Sequence, residues 1–485
     1  MNSWLQYKPL SGALKCWLIL IGLWSGEISA QPEINFVSGQ GRLGPLSWQS
    51  LNVSRAGGDK ASVEISVTGL QGIPGLGAGD LVAECDDFSW QDGQPVCAHG
   101  TLRFPENWLA LNEAVAISLQ PSSDGGYSVS LDHPMVQATL HGSGEHDLRL
   151  SLEQMDTRVF VPLATRWLGI SAWGGKISGE VTLDGQTVAM DLGLTDQFFD
   201  SRDGLYAGAG LDLELAATGA LVDGRYRISL LQTAGELLLG PVYLPPPESP
   251  LQFETELNRL ASGAWQARRF RFTDPGSLAV EGAVTLNPQA EGWRLESVEF
   301  ESLQASLRGL WSRWIEGPAA AAGFAGLEAQ GQIEGQLHWQ SGALAHIDLQ
   351  AEQIGLDDPL NRFAIQGFGA SILGTEQSSK LNLSWQALEM LGLSLEGSRA
   401  SLHYDEVGWR LLSPVRAGLL DGVVVLEGLA WLPIEGLESK LILDMLIEPT
   451  DLSALTRELG LPELGGQLAG RFPGVTFTDG RLAFT

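Results

Sequence analysis

Apolar and polar residues alternate with a period of two along nearly all of the chain after residue 50. Val63, Ile65 and Val67, for example, alternate with Glu64 and Ser66, and roughly twenty such runs follow one another. Successive side chains of a strand point to opposite faces, so this period places apolar residues on one face of a sheet. Acidic, Ser and Gln residues take the other face. The pattern predicts an all-β protein.

Turn-forming residues separate the alternating runs, as is typical of antiparallel hairpins. The 485 residues include 60 glycines and 23 prolines, and Gly, Asp-Gly, Asn-Pro and Ser-Gly sequences lie between the runs. Helical patterns are few. Residues 451–459 are predicted to form a helix, residues 307–315 are a second candidate, and residues 319–322 are either helix or loop. The five prolines between Pro241 and Pro250 predict a subdomain boundary or a stiff connection.

A sheet with one apolar face must cover that face by a second layer, by curling or by a ligand. Because so few helices are predicted, we expect an elongated, curved antiparallel β-sheet that is repeat-like and forms an open apolar groove. Acyl chains would fit such a groove, since each buried CH₂ contributes ~0.8 kcal/mol. For each candidate lining residue the alternative is an ordinary β-sandwich core. The candidates for the lining are Leu211, Leu213, Leu215, Ile228, Leu230, Leu381 and Leu383.

The first thirty residues have the layout of a secretory signal peptide. Lys8 and Lys15 precede an apolar run at residues 16–24, and small residues close the segment at Ala30. An apolar run of about ten residues is too short to span a membrane, which needs about 20. We predict cleavage after Ala30 and export of the protein. The alternative is an uncleaved membrane anchor.

The charge balance excludes one large class of partners. The chain has 58 acidic residues against 29 Lys and Arg, a formal net charge of −29. Nucleic acid phosphates attract basic surfaces, so no binding to nucleic acid is expected. With 44% apolar and 18% charged residues, the chain is too apolar to be disordered.

Cys85 and Cys97 are the two cysteines beyond the predicted signal peptide. An even pair in an oxidising compartment is most simply one disulfide. The intervening Asp92-Gly93 predicts a hairpin turn between them, and a bridge closing so short a loop should stabilise by about 3 kcal/mol. A redox or metal site is the alternative. The spacing is not C-x-x-C, and no His/Cys cluster in the sequence completes a ligand set.

Internal repetition supports an elongated, stackable β structure. A Gly-x-x-x-Gly pattern occurs at residues 175–179, 331–335 and 466–470. The first and third copies also match upstream, where residues 166–170 correspond to 457–461 and Gly174 to Gly465. A second match relates residues 238–244 to 420–426. Coincidence among glycines in a turn-rich chain is the alternative.

These repeats suggest a division of the chain into five parts. They are a signal peptide (1–30), an N-terminal β region with the Cys85–Cys97 disulfide (31–160), a first β-groove repeat (161–310), a second β-groove repeat (311–450), and the start of a further repeat, a helix plus hairpin that the chain end cuts short (451–485).

Few sequence motifs carry chemistry. Residues 39–44 match G-x-G-x-x-G, but Pro45 follows at once and no strand–helix unit surrounds them. No G-x-S-x-G, H-E-x-x-H or phosphate-loop sequence occurs. We therefore predict no enzymatic activity and no cofactor.

Two clusters of polar residues have competing interpretations. Candidate metal ligands are His133, His141, His146 and Asp147, although their spacing suits hairpin turns at least as well. The basic, aromatic strand at residues 268–272 is either a contact for lipid headgroups or, as we prefer, a solvated strand face that balances local acids.

The C-terminal residues combine several features in a fixed order. They are a short amphipathic helix (451–459), Gly-Leu-Pro (460–462), the Gly466–Gly470 pattern, Phe-Pro-Gly (472–474) and a hairpin (475–484). In this order they resemble the AsmA-like superfamily of bacterial envelope proteins, which includes TamB and the YdbH-type bridges. The Cys85 and Cys97 pair, followed by Gly-Thr-Leu at 100–102, also fits that family. The likeness covers residues 45–485 in broad character, and its motifs are diffuse.

The resemblance implies a β-groove that is apolar inside and moves phospholipids between the inner and outer membranes. From it we expect a protein of the Gram-negative periplasm that shields phospholipid acyl chains and contributes to intermembrane phospholipid transport or outer-membrane homeostasis. Inner- and outer-membrane proteins are the expected protein partners. Should the N-terminal segment stay uncleaved, the protein would be anchored in the inner membrane and face the periplasm.

Two features depart from the family. Its bridges are usually larger and keep an N-terminal anchor, and this chain ends at Thr485 within a predicted strand, which indicates a truncated chain or a shortened relative. One rival function is a scaffold or assembly factor that pairs its strand edges with outer-membrane or secretion-system proteins. Another is an enzyme or a carbohydrate-binding β-sandwich.

Overall fold

A computed structural model describes most of the chain. The described residues are 34–43, 46–57, 61–71, 77–91, 94–105, 108–111, 113–122, 125–143, 147–220, 224–289, 292–390, 392–405, 407–434, 437–478 and 481–483. The predicted signal peptide with its cleavage at Ala30, the Asp92-Gly93 turn and His146 lie outside these residues.

The structure is all-β, as the alternation predicts. Strand accounts for 73% of it and helix for 8%. The chain divides into two compact units. Unit 1 comprises the chain up to Gly240 with Pro245–Glu248, and unit 2 comprises Pro241–Leu244 and the chain from Ser249. The division therefore falls in the proline-rich segment, whereas the repeat boundaries suggested by the sequence stay predictions.

In unit 1, consecutive strands pair antiparallel in chain order, with β1 placed beside β4 and the hairpin β2–β3 forming a separate small sheet. The strands are β1 (Ile34–Ser38), β2 (Gly41–Leu43), β3 (Leu46–Trp48), β4 (Ser50–Ala56), β5 (Ala61–Leu70), β6 (Gly79–Gln91), β7 (Gln94–Arg103), β8 (Val115–Pro121), β9 (Tyr127–His133), β10 (Val136–Ser143), β11 (Asp147–Asp156), β12 (Ile170–Asp184), β13 (Thr187–Ser201), β14 (Tyr206–Ala220) and β15 (Arg225–Leu239).

Unit 2 continues the same antiparallel order, and its two short strands β26 and β27 both lie between β25 and β28. The strands are β16 (Val242–Leu244), β17 (Leu251–Arg259), β18 (Trp265–Asp274), β19 (Leu278–Gln289), β20 (Gly292–Ser306), β21 (Glu328–Gln340), β22 (Ala343–Asp357), β23 (Phe363–Gly374), β24 (Ser379–Met390), β25 (Leu393–Asp405), β26 (Gly408–Leu411), β27 (Val415–Leu419), β28 (Gly422–Ile434), β29 (Leu437–Asp451), β30 (Gln467–Thr478) and β31 (Arg481–Ala483).

Within the described residues, short helical segments interrupt the strand order at three places. In unit 1 a 3₁₀ turn (Thr157–Phe160) leads into α1 (Val161–Trp167). In unit 2, α2 (Leu307–Leu310) continues as a π-helical turn (Trp311–Ile315) and α3 (Glu316–Ala321), and α4 spans Leu452–Glu458. The predicted helix at 451–459 is confirmed, with Asp451 as its N-cap: the side chain accepts a hydrogen bond from the backbone N–H of Ser453. No helix in the described part of the chain is long and apolar enough to cross a membrane.

The register of unit 1 aligns apolar residues into a row that crosses the sheet. From β5 to β15, each member of the row is the direct partner of the next across neighbouring strands, so all of them share one face. The row consists of Val63, Cys85, Gly100, Ile117, Leu131, Ala138, Leu152, Gly179, Leu192, Leu215 and Leu230. The opposite face carries a matching polar row of Ser118, Ser130, Thr139, Ser151, Glu180, Asp191, Ala216 and Ser229.

Unit 2 has the same two-faced register. From β17 to β26 the apolar row consists of Phe253, Phe272, Val280, Leu303, Gly335, Leu349, Ile372, Leu381, Leu402 and Leu411. On the other face run Gln304, Glu334, Gln350, Ser371, Asn382 and Ser401. Period-two alternation therefore becomes one apolar and one polar face in each unit.

Two of the repeated glycines occupy positions where any side chain would be strained. Gly179 and Gly335 have φ angles of +135° and +154°, in the region that side chains with a Cβ rarely adopt. A Cβ on Gly179 would lie 2.1 Å from the carbonyl oxygen of Asp191, and one on Gly335 would lie 2.0 Å from that of Asp348. The glycines let the neighbouring strands approach where the chain resumes the sheet after a helical segment.

The first and third repeats are also alike in register. Leu152 pairs with Gly179 and Met155 with Ile177, just as Ile447 pairs with Gly470 and Thr450 with Leu468. In both repeats an aspartate ends the strand before the helical segment and caps that segment: Asp156 accepts from the N–H of Arg158, and Asp451 from that of Ser453, each at 2.9 Å.

A buried ion pair fixes the loop between β22 and β23. The Asp358 side chain has 0% exposure. It accepts hydrogen bonds from Nε of Arg362 at 2.8 Å, from its Nη2 at 2.7 Å and from its backbone N–H at 3.0 Å. The side-chain hydrogen bonds from Arg362, against the opposing effect of burial, lower the pKa of Asp358 to about 2. The guanidinium also lies 5.3 Å from the ring centre of Phe324, which follows α3.

Replacement of Gly179 tests the glycine requirement. Gly179→Ala should destabilise unit 1 by about 2 kcal/mol through backbone strain, which lowers the midpoint of thermal unfolding by roughly 4–8 °C. The control is Gly193→Ala on the adjacent strand, where a Cβ would find its nearest atom at 3.7 Å. Equal midpoints for the two variants would contradict the assignment.

Acid titration tests the Asp358 pair. The folded-state pKa of Asp358 is about 2 and the unfolded value is ~3.9. The pair therefore stabilises fully above pH ~4 and loses its contribution as the pH falls toward 2. The difference in melting temperature between the parent protein and Asp358→Asn should be constant near neutral pH and shrink below pH 4. Asp357→Asn, at the exposed neighbouring position, is the control and should melt like the parent protein throughout.

Candidate functional site

The candidate lining residues of unit 1 lie on its apolar face. Leu215 and Leu230 belong to the apolar row, Leu213 pairs with Leu194, and Ile228 pairs with Ala217. All four are half-buried.

Leu211 differs from the other candidates because it is only 3% exposed. Its cross-strand partner is Gln197, itself 2% exposed. The Gln197 amide donates to the carbonyl of Lys176 at 2.8 Å, and its oxygen accepts from Nε1 of Trp173 at 3.1 Å. Leu211 therefore contributes to a closed part of the face rather than to an accessible surface.

In unit 2 the two candidates also lie on the apolar face. Leu381 pairs with Ile372 and Leu402, and Leu383 lies between Ala370 and Ala400. Both leucines are half-buried.

The helical segments pack over one part of each apolar face. In unit 1, Val159 of the 3₁₀ turn joins a buried cluster with Leu111, Val115 and Val136, and Phe160 packs against a second cluster that contains Leu152. In unit 2, Leu307 of α2 is buried with Leu327, Ala329 and Ile354, and Leu310 and Trp311 pack against this cluster.

Away from the helical segments the apolar face remains accessible. Leu215 and Leu230 in unit 1 are half-buried, as are Leu349 and Ile372 in unit 2. Apart from the hairpin β2–β3, the described strands supply no second sheet to lie over these rows. The site is therefore an extended apolar surface rather than a pocket with converging polar groups.

A buried charge pair anchors the helical segment of unit 2. Asp274, 3% exposed at the end of β18, accepts a hydrogen bond from Nε of Arg313 at 2.7 Å and from Nε1 of Trp314 at 2.9 Å. The Trp314 ring packs edge-on against Phe272 of the apolar row, with 5.9 Å between ring centres. These contacts join the helical segment to the sheet at the covered part of the face.

The basic strand at 268–272 lies among acids. Arg269 contacts Glu256 at 3.1 Å, and Arg271 contacts Glu281 at 2.7 Å and Glu254 at 3.8 Å. The hydrogen bond and charge of Glu281 raise the pKa of Arg271. These pairs support the interpretation as a solvated strand face.

The candidate metal ligands His133 and His141 are not brought together by the structure. His133 is buried on the apolar side beside Val136, and its Nδ1 accepts from the N–H of Met135 at 3.1 Å. His141 pairs with Ser128 on the opposite face. A shallow depression of about 240 Å³ lies on the polar face of unit 2, and Glu301, Glu334 and Asp348 are among its lining residues. Leu303 and Gly335 of the unit 2 apolar row also contribute to its lining.

The predicted disulfide between Cys85 and Cys97 is present, with Cα atoms 6.0 Å apart. It links β6 to β7, whose residues Gln91 and Gln94 pair on either side of the predicted turn. Asp87 and His99 lie beside this pair, and neither was predicted from the sequence. The only indication in the sequence was that each follows one of the cysteines by two residues.

Removal of the buried carboxylate tests the anchor of the unit 2 helical segment. Asp274→Ala leaves the Arg313 charge without its buried partner and should destabilise unit 2 by about 3 kcal/mol, measured by urea unfolding followed through tryptophan fluorescence. The control Glu281→Ala removes an exposed partner of Arg271 and should have little effect. Similar losses in both variants would show that burial of the Asp274 pair is unimportant.

Comparison with known proteins yields no match: no family model, no curated protein and no solved structure is similar to this chain. The likeness to the AsmA-like superfamily therefore rests on the sequence motifs alone.

Proposed function

We propose that the protein is a non-enzymatic, AsmA-like periplasmic protein that shields phospholipid acyl chains along its apolar β-sheet face. In this role it contributes to intermembrane phospholipid transport or outer-membrane homeostasis. The observation that carries the proposal is the apolar row in each unit, which crosses strand after strand and stays half-buried away from the helical segments.

The chemistry of acyl chains matches such a row. A CH₂ chain has no hydrogen-bonding groups and therefore needs no particular polar partner. Its transfer from water to an apolar surface is favourable by ~0.8 kcal/mol for each buried CH₂. Neighbouring strands lie ~4.8 Å apart, so the row from β5 to β15 extends roughly 50 Å along the sheet. That length accommodates acyl chains lying across many strands.

Two buried amide side chains on this face of unit 1 are already hydrogen-bonded within the protein. Gln197 bonds to Lys176 and Trp173, and the amide of Gln232, 7% exposed, donates to the carbonyl of Gly235 at 3.2 Å. Such groups do not offer a substrate the converging polar contacts that covalent chemistry requires. Binding without chemistry is therefore the function favoured here.

Two features support the proposed compartment. The disulfide of Cys85 and Cys97 is the kind that persists in oxidising compartments, and the first thirty residues have the layout of an export signal. Together with the family resemblance, these features favour the periplasm.

One observation favours the alternative function, a scaffold that acts by strand addition. Strand β1 pairs with β4 alone among the described strands, and its Phe36 and Val37 are 41% and 66% exposed. An edge of this kind can accept a strand from another protein.

Lipid analysis of matched variants tests the primary proposal. Protein purified without detergent should yield phospholipid by extraction and mass spectrometry. Leu215→Asn places an amide in the apolar row, which penalises acyl contact, and should reduce the lipid recovered several-fold. Ala216→Asn places the same amide on the polar face one residue away and is the control, with lipid content like that of the parent protein.

Circular dichroism must show that both variants keep the parent strand content. Lipid-free parent protein, or equal lipid in the two variants, would overturn the acyl-shielding proposal. Capture of a specific envelope protein that is lost in Val37→Lys would then favour the scaffold, because a charge on β1 opposes strand addition.

A further inference from the structure

Hairpin β6–β7 brings four side chains with metal-binding chemistry to one place. The sulfurs of Cys85 and Cys97 and a carboxylate oxygen of Asp87 all lie within 4.8 Å of one another. His99 joins them, because its Nδ1 is 2.8 Å from Oδ2 of Asp87. None of these contacts involves the helical segments or the polar depression of unit 2.

Spacing and strand irregularity together explain this convergence. Each strand of the hairpin supplies a cysteine and, two residues later, a second candidate ligand: Cys85 and Asp87 on β6, Cys97 and His99 on β7. The pairing register shifts by one residue between Cys85 and Phe88 on β6 and between Cys97 and Gly100 on β7. Such bulges redirect side chains locally, and here the Asp87 and His99 side chains meet beside the two sulfurs.

Asp87 is held in place by hydrogen bonds from the backbone. Its Oδ1 accepts hydrogen bonds from the backbone N–H groups of His99 at 2.9 Å and Ala98 at 3.0 Å. One carboxylate oxygen is thus fixed by the backbone, while the other faces the imidazole.

While the disulfide is intact, the two sulfurs cannot bind a metal as thiolates. Reduction by a dithiol adds two electrons and two protons across the S–S bond, which gives two thiols and converts the reductant to its own disulfide. A divalent metal that then binds the two sulfurs displaces both thiol protons to solvent. The oxidised and metal-bound hairpins are therefore mutually exclusive states.

We propose that the reduced hairpin binds Zn²⁺ through Cys85, Cys97, Asp87 and His99. Two thiolates with an imidazole and a carboxylate form a four-coordinate ligand set suited to Zn²⁺. Zn–S bonds of ~2.3 Å place tetrahedral thiolates roughly 3.8 Å apart, a separation that two cysteines with Cα atoms 6.0 Å apart can reach. His99, whose side chain is 84% exposed, has room to turn its ring toward the metal.

The metal replaces the disulfide as the cross-link of the hairpin whenever the protein is in a reducing environment. A bound ion that joins β6 to β7 restrains the same two strands as the S–S bond. The chain then keeps one fixed hairpin in both redox states.

Cobalt titration of the full chain tests the proposal. The protein is reduced with a phosphine under anaerobic conditions and titrated with Co²⁺, whose tetrahedral thiolate complexes give strong visible and near-ultraviolet absorption. One equivalent of Co²⁺ should produce these bands, and Zn²⁺ should displace it. Asp87→Asn and His99→Ala should each weaken binding tenfold or more, whereas the controls Asp86→Asn and His141→Ala should bind as the parent does.

Two outcomes would overturn the inference. One is the absence of thiolate-to-cobalt bands in the reduced parent protein. The other is binding that Asp87→Asn and His99→Ala leave unchanged, which would assign the metal to the cysteines alone. A second measurement does not depend on spectra: Zn²⁺ should raise the melting temperature of the reduced parent protein but not that of a reduced Cys85→Ser, Cys97→Ser variant.

Discussion

The cross-strand register is the constraint on which the rest of the structure depends. Side chains alternate with a period of two, so a slip of one residue would move every leucine of a strand to the polar face. In unit 1, Leu192, Leu215 and Leu230 stay in line across three strands. That alignment makes the surface continuous, and a continuous apolar surface supports the proposed role in shielding acyl chains.

Local features protect the register where the chain leaves and re-enters the sheet. Asp156 and Asp451 cap the helical segments that follow their strands, and Gly179 allows close approach of the next strand on return. In unit 2, the Asp274 pair attaches the helical segment to the sheet, and the Asp358 pair fixes a strand-connecting loop. Buried charges therefore act at strand ends, while the apolar face is held by pairing and packing.

Much of the fold was predictable because its determinants are local. Alternation identified the strands and the apolar face, an Asp start with Leu spacing identified the helix after Asp451, and cysteine parity identified the Cys85–Cys97 bridge. The candidate residues Leu213, Leu215, Ile228 and Leu230 followed from the same periodicity. Leu381 and Leu383 followed from it as well.

Other features depend on contacts that are distant in sequence. The burial of Leu211 follows from its pairing with Gln197 on the neighbouring strand, which a single-strand pattern does not reveal. The opposite orientations of His133 and His141 required the strand register. Asp87 and His99 became neighbours only when hairpin pairing placed β6 beside β7.

The apolar rows also contain residues that have no side chain. Gly179 lies between Leu152 and Leu192, and Gly335 lies between Leu303 and Leu349. At these two positions the backbone itself forms the surface, so the apolar face has a shallow depression there. A flexible hydrocarbon tail can bend into such a depression and keep its contact with the protein. A rigid fused-ring lipid would span the depression and lose that contact.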